Sequence, residues 1–203
     1  MQIYYPHPDN PQARIITQIT KALQNDQLLV YPDIGGYRLA MSLNAKQAFE
    51  QTCRMAQSQE LIFCLICRDL SQIANYAQVS NFAHRILKKH LAQNIDFMLP
   101  ATKTTPKKYL RAKHQGIAVR TANTPLSLAL LDELGEAFVS LPIILDGEQP
   151  IFDGSYELQM LLENLVDGFV DGGDMNQSAA DVINLINDEM VLLNQGEIDM
   201  ADL

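Results

Sequence analysis

The chain has 203 residues, 47% of them hydrophobic, and a formal net charge of −9. That length fits one large or two small domains, and no apolar run reaches the ~18 residues of a membrane span. The acidic total disfavours attraction of nucleic acid to the whole surface. The charge is nevertheless split. All 15 Lys and Arg lie at or before Arg120, beside seven acids, and the 17 acids that follow have no Lys or Arg among them.

The start, "MQIYYPHPDNPQ", lacks the basic stretch and apolar core of a signal peptide, which predicts a cytoplasmic protein. Ile15, Ile16, Ile19 and Leu23 recur at helical spacing, with Pro11 ahead of them. "QLLVY" reads as a strand, and "GYRLAMS", after a Pro and a Gly pair, as its neighbour. "NAKQAFEQTCRMA" is a predicted helix with Asn44 as N-cap. "LIFCLIC" is short and uniformly apolar, so it reads as a buried strand. Its Cys64 and Cys67 are three apart and point to opposite faces, and with Cys53 they form neither a disulfide framework nor a zinc ligand set. "SQIANYA" and "SNFAHRILKKHLA" are short helices, each opened by Ser. "DFML" is a strand, "TPKKYLRA" a short helix and "GIAVR" a strand.

"TPLSLALLDELG" places Pro125 early in a helix and Gly135 at its end. "AFVSLPIIL" is a strand in which Pro142 marks an edge or a bulge. "GSYELQMLLENLV" is a helix and "GFV" a short strand. "ADVINLI" and "EMVLLN" form a hairpin. Helices alternating with strands, together with hairpins, predict an α/β fold with a mixed sheet. With no linker-like tract, the whole of 1–203 reads as one domain.

Several phrases, in order, carry a resemblance: "HPDNPQ", "VYPDIGGYRLA", "CRMA", "CRDL", "GIAVRTANTPLSLALLDELGE" and "DGGDMNQ". They resemble the YrdC/YciO family, and most closely its YciO branch, over nearly the whole chain. The resemblance implies a single twisted mixed α/β sheet around a large concave cleft. It also implies synthesis of threonylcarbamoyl-AMP from threonine, bicarbonate and ATP, with Mg²⁺, for tRNA modification, or binding of double-stranded RNA or tRNA through a positive cleft.

The cleft motifs depart from that pattern. The family's turn reads Pro-Thr-x-Thr/Ser-x-Tyr-Gly/Ala-Leu-Gly. Here Pro32, Gly36, Tyr37 and Leu39 match, but Asp33 and Gly35 replace the hydroxyls, Arg38 replaces a small residue, and Ala40 the last Gly. Of the basic pair that clamps phosphates, Arg54 keeps the first position and Ala56 replaces the second, where no methyl reproduces a bidentate guanidinium. A Pro-Gly-x-x-Thr motif has become Ala92, Gln93 and Asp96. In the nucleotide-binding strand end Ser140 is kept, whereas Pro142 and Ile144 stand where a hydroxyl and an amide belong. Asn194 replaces a closing Arg, and Arg120 is kept. Loss of one donor that stabilises transferring phosphate costs about 10²–10³ in rate. The substitutions therefore point to a binding cleft without full synthase activity.

The resemblance assigns nucleotide contacts to Arg54, Arg120 and Ser140, and the substrate wall to Pro32, Asp33, Gly35, Gly36, Tyr37 and Arg38. The basic stretch offers Lys88, Lys89, Lys103, Lys107, Lys108, Arg111 and Lys113 to RNA phosphates, with Tyr109 either stacking on a base or packed in the core. Two readings stay open for Asp33 and Asp96: a carboxylate pair for a metal or for acid–base work, or an inert Asp33 paired with Arg38 or Arg54. His7, His84, His90 and His114 show no metal-ligand spacing and read as surface residues. The acidic end reads as a solvated terminus. The oligomeric state stays open.

Overall fold

The computed structural model describes residues 1–58, 61–110 and 116–196. Its framework is one mixed ten-stranded sheet with six α-helices among the described residues. In chain order the elements are β1 (Gln2–Tyr4), α1 (Ala13–Gln24), β2 (Leu29–Asp33), β3 (Gly36–Ser42), α2 (Gln47–Ala56), β4 (Cys64–Cys67), α3 (Leu70–Tyr76), α4 (Asn81–Lys89) and β5 (Ile95–Pro100). There follow β6 (Gly116–Thr121), α5 (Pro125–Leu134), β7 (Phe138–Pro142), α6 (Gly154–Leu162), β8 (Gly168–Val170), β9 (Asp181–Asn184) and β10 (Val191–Asn194). The strands lie side by side in the order β1-β8-β2-β3-β7-β4-β6-β5-β9-β10. No helix among the described residues is long and apolar enough to cross a membrane.

Strand alternation sorts the core into two layers. On one face Cys64 and Ile66 of β4, Ala118 of β6 and Phe138 of β7 pack under α1 (Ile16, Ile19, Leu23) and α5 (Leu126, Leu130, Leu131). On the other, Leu65, Cys67, Val119 and Val139 meet α2, α3, α4 and α6 through Ala48, Ile73, Leu87 and Leu158. Cys64 and Cys67 thus face opposite layers, as their spacing requires. Tyr109 is buried, in contact with the rings of Phe49 and Phe63.

Helix starts differ from the sequence reading in instructive ways. Ser80 caps α4 through Ala83 N–H, as its position suggests. α3 is capped by Asp69, not by the following Ser71. α2 is capped from a distance: the Asp26 carboxylate accepts the N–H groups of Lys46, Gln47 and Ala48, so Asn44 has no such role. Burial alone would raise the Asp26 pKa, yet those N–H groups hold it below its ordinary value. Strand β1, which pairs parallel with β8, had no sequence signal beyond three residues.

Pro142 marks neither an edge nor a bulge, since β7 runs between β3 and β4. It is tolerated because it is the last residue of its strand, beyond the ladder with β4, which ends at Cys64 opposite Ser140. Pro32 is accommodated by register. It opposes Tyr37, whose own N–H points away from β2 to the side chain of Gln177.

Phe138 is fully buried and meets Tyr31 edge-on at 5.5 Å between ring centroids. Phe138→Ala is expected to lower stability by about 3–5 kcal/mol. Urea denaturation reads this as a lower midpoint with unchanged slope.

Candidate functional site

The polar residues that the resemblance places in a cleft are gathered by strand period. Asp33 lies two after Tyr31, Arg38 two before Ala40, Asp96 two before Met98, Arg120 two after Ala118, and Ser140 two after Phe138. Each pair shares one face of its strand, the face under α1 and α5. Six side chains meet there at the strand ends, all of them buried.

They close into a ring. Arg120 donates from Nε to Asp96 Oδ1 at 2.8 Å and from Nη1 to Asp33 Oδ2 at 3.4 Å. Arg38 donates from Nη2 to Asp96 Oδ2 at 3.2 Å and from Nε to Ser140 Oγ at 2.9 Å. The Tyr31 hydroxyl lies 3.1 Å from Ser140 Oγ and 3.2 Å from Asp33 Oδ2, sharing a hydrogen bond with each. Two carboxylates and two guanidiniums balance, which a buried set of charges requires. Asp33 is ion-paired, but with Arg120 rather than with Arg38 or Arg54; Arg38 goes to Asp96, and Arg54 is exposed on the last turn of α2. Among the described residues no group of three or more His, Cys, Asp or Glu could hold a metal ion.

The electrostatics follow from burial and from these partners. Burial alone would raise the Asp96 pKa, but the Arg120 and Arg38 guanidiniums bring it down to about 2. Burial pulls Arg38 down, and Asp96 more than restores it. Burial and the Asp33 charge push the Tyr31 phenol well up. Burial and Asp96 do the same to the Cys64 thiol, leaving no accessible thiolate there.

Above the ring, the altered motif positions line two adjoining cavities. One of about 240 Å³ is bounded by Asp96, Pro142, Ile144 and Asn194, with Gln149 and aliphatic walls such as Ile62 and Val182. A smaller one of about 40 Å³ is bounded by Gly35, Tyr37, Arg38, Pro142 and Gln177. Among the described residues no Lys or Arg lines the larger cavity. Gln177 clamps Tyr37, accepting its N–H at 2.6 Å and donating to its carbonyl at 3.3 Å, and Ser178 N–H donates to Gly35 O at 2.8 Å. Gly36 has φ +118° and comes so close that a Cβ there would collide with the Gln177 amide, so the turn needs glycine for space as well as conformation. Gln177 and Tyr31 are the site residues that the sequence reading lacked. Tyr31 had a signal, its period-two spacing from Asp33; Gln177 lies 140 residues from its partner and had none.

The basic residues lie elsewhere. Lys88 and Lys89 end α4, and Lys107 and Lys108 sit in a 3-10 turn (Lys107–Tyr109) packed on Phe49 and Phe63; both belong to the layer opposite the ring. Lys103 is exposed just before that turn. Lys108 is committed to the fold: its Nζ donates to Ala45 O and lies over the Phe49 and Tyr109 rings. Arg111, Lys113 and His114, like the acidic end from residue 197, lie outside the described residues. His90 is not a surface residue. It is buried, its Nδ1 2.5 Å from Gln93 Oε1 and its Nε2 without a partner. Leu87 and the turn after α4 draw it inward.

A sheet whose strand ends hold such a polar floor beneath adjoining cavities defines an α/β protein with a cleft. The Sua5/YciO/YrdC family model, described as "Telomere recombination", matches residues 21–196. This chain belongs to that family. It is 36% identical to "Uncharacterized protein YciO" of Escherichia coli (strain K12) over 98% of this chain and 97% of that one. The crystal structure of E. coli YciO superposes with a TM-score of 0.90 over the same shares. A threonylcarbamoyl-AMP synthase of Hydrogenovibrio crunogenus is 29% identical over 67% of this chain and 75% of its own length. The structure of P. abyssi Sua5 complexed with L-threonine shares the fold, with a TM-score of 0.86 at 15% identity, over all of this chain and 59% of that one.

Asp96→Asn removes the charge that both arginines share and is expected to cost about 3–5 kcal/mol, read by thermal or denaturant unfolding. In the native chain the folded Asp96 pKa lies below the ordinary 3.8. Its contribution to stability is therefore full above pH ~4 and lost as pH falls through about 2, which acid titration followed by circular dichroism will show. In Asp96→Asn that acid-dependent component is absent.

Proposed function

We propose that the chain is an RNA-binding protein of the YrdC/YciO type that does not make threonylcarbamoyl-AMP. One observation carries the reading: the guanidiniums beneath the cleft already hold the chain's own carboxylates, and the larger cavity above them has no lysine or arginine among the described residues of its lining. A triphosphate placed there meets Asp96 and aliphatic walls, without the positive groups that phosphoryl or adenylyl transfer demands. Exposed cations on the layer opposite the ring include Arg85, Lys88, Lys89, Lys103 and Lys107. Exposed cations of this kind can meet phosphates of an RNA backbone without reading sequence. A cytoplasmic location belongs to the same reading.

The second reading is a divergent threonylcarbamoyl-AMP synthase using ATP with Mg²⁺. It is favoured by the identity to the Hydrogenovibrio enzyme. In it, Arg54 and Ser140 meet the nucleotide, and Arg120 leaves Asp33 to join them.

Calorimetric titration separates the two. RNA binding predicts no heat with ATP, with or without threonine and bicarbonate, no pyrophosphate release, and binding of a short RNA duplex that weakens steeply with salt. Replacing Lys88, Lys89, Lys103 and Lys107 with Gln then lowers the slope of log K against log salt by about 0.9 for each phosphate that is no longer neutralised. ATP binding that tightens with threonine, or threonine-dependent pyrophosphate release, transfers the assignment to the synthase.

A further inference from the structure

A second cavity of about 240 Å³ shares no lining residue with the two cavities just described, although Pro32 and Asp33, expected in the substrate wall, line it. It forms where the chain before α1, the end of β2, the start of α5 and the loop after β8 come together. Its walls are the rings of Pro6, Pro8, Pro32 and Pro125 with Leu126 and Met175. Proline rings have little freedom to lose, so the cavity keeps its shape without a ligand. The loop after β8 is pinned in place: Gly172 N–H donates to the Tyr37 hydroxyl at 2.9 Å, which donates to Gly173 O at 2.7 Å.

Among the described residues two carboxylates reach this apolar space, Asp33 and Asp171, and no Lys or Arg does. Each Asp171 oxygen has its own donor, Gly173 N–H on Oδ1 and the Gln159 amide on Oδ2. Thr124 caps α5. His7 accepts at Nδ1 from the N–H groups of Asp9 and Asn10. Asp33 differs. It is 4% exposed, and both its bonds, to Tyr31 and Arg120, fall on Oδ2. Among the described residues nothing donates to Oδ1, and that atom is not one of the sealed, unpartnered ones. One oxygen of a nearly buried carboxylate is thus left for the cavity. The Arg120 contact that neutralises Asp33 is long at 3.4 Å, and Arg120 lies closer to Asp96, at 2.8 Å.

We propose that this proline-walled cavity is a binding site for a small amine, its ammonium on Asp33 Oδ1 and its hydrocarbon body among Pro6, Pro8, Pro125, Leu126 and Met175. Two carboxylates without a lining cation disfavour an anion. The apolar walls disfavour a polyhydroxylated ligand, and the volume limits the body to about one small ring. The site is independent of the RNA reading.

Three probes with one ring and different polar tips test it: cyclohexylamine, cyclohexanol and cyclohexanecarboxylate, titrated into the full chain by calorimetry. The amine is expected to bind at least about tenfold more tightly than the alcohol, and the carboxylate not at all. Asp33→Asn is expected to bring amine and alcohol within about twofold of each other. Met175→Trp, a half-buried loop position away from the ion ring, fills the cavity and abolishes binding of both while leaving the thermal midpoint in place. Alcohol binding as tight as the amine, amine binding unchanged in Met175→Trp, or no binding of any probe overturns the proposal.

Discussion

Four buried charges at the strand ends set the terms for the rest of this molecule. Asp33, Arg38, Asp96 and Arg120 come from four different strands, and each would be strongly destabilising alone in a site of low dielectric. Their cost is met only if β2, β3, β5 and β6 are in register, with Ser140 of β7 and the Tyr31 hydroxyl closing the circuit. The ring therefore ties the sheet's central order to its electrostatics. A one-residue slip in any of these strands would turn its charged side chain to the other face and leave its partner unpaired.

The same ring decides what the cleft can do. A guanidinium beneath a cavity is an anion receptor when its donors are free. Here Arg120 and Arg38 already hold carboxylates, two charges against two, and Arg120 Nη2, which has no partner among the described residues, is sealed from solvent. The walls above are aliphatic, with amide tips at Gln149 and Asn194. The segment after β8 narrows the space further, with Gln177 filling the backbone bonding positions of Tyr37. On the far side of β2 the balance is different, because Asp33 is only weakly neutralised and keeps one oxygen for a proline-lined space.

The charge asymmetry along the chain has a spatial counterpart. The lysines that end α4, and those around the 3-10 turn, belong to the helical layer opposite the ring. The acids after Arg120 include Asp171, which anchors the loop behind Tyr37, and Asp167, which accepts Leu28 N–H. Several of these acids are therefore structural acceptors, and only part of the negative charge after Arg120 is a solvated surface.

The sequence alone determined the local pieces. Helical spacing of Ile15, Ile16, Ile19 and Leu23, Thr124-Pro125 at one helix start and Gly135 at its end, and the apolar runs around Cys64 and Ile117 are short-range patterns, and they mark elements the structure contains. Ordered family phrases made the mixed α/β sheet legible too, and the motif changes at Asp33, Arg38 and Asp96 could be read as a cleft altered in its chemistry. Only the tertiary structure decided which charge meets which. Asp33 is 87 residues from Arg120, and Asp96 is 58 from Arg38, so no local pattern could prefer Arg120 over Arg54 for Asp33. Distance along the chain also hid Asp26 as the cap of α2, Gln177 as the clamp on Tyr37, and the interior position of β7. Each of these depends on strand order, which follows from burying two apolar faces at once and is not written in any single segment.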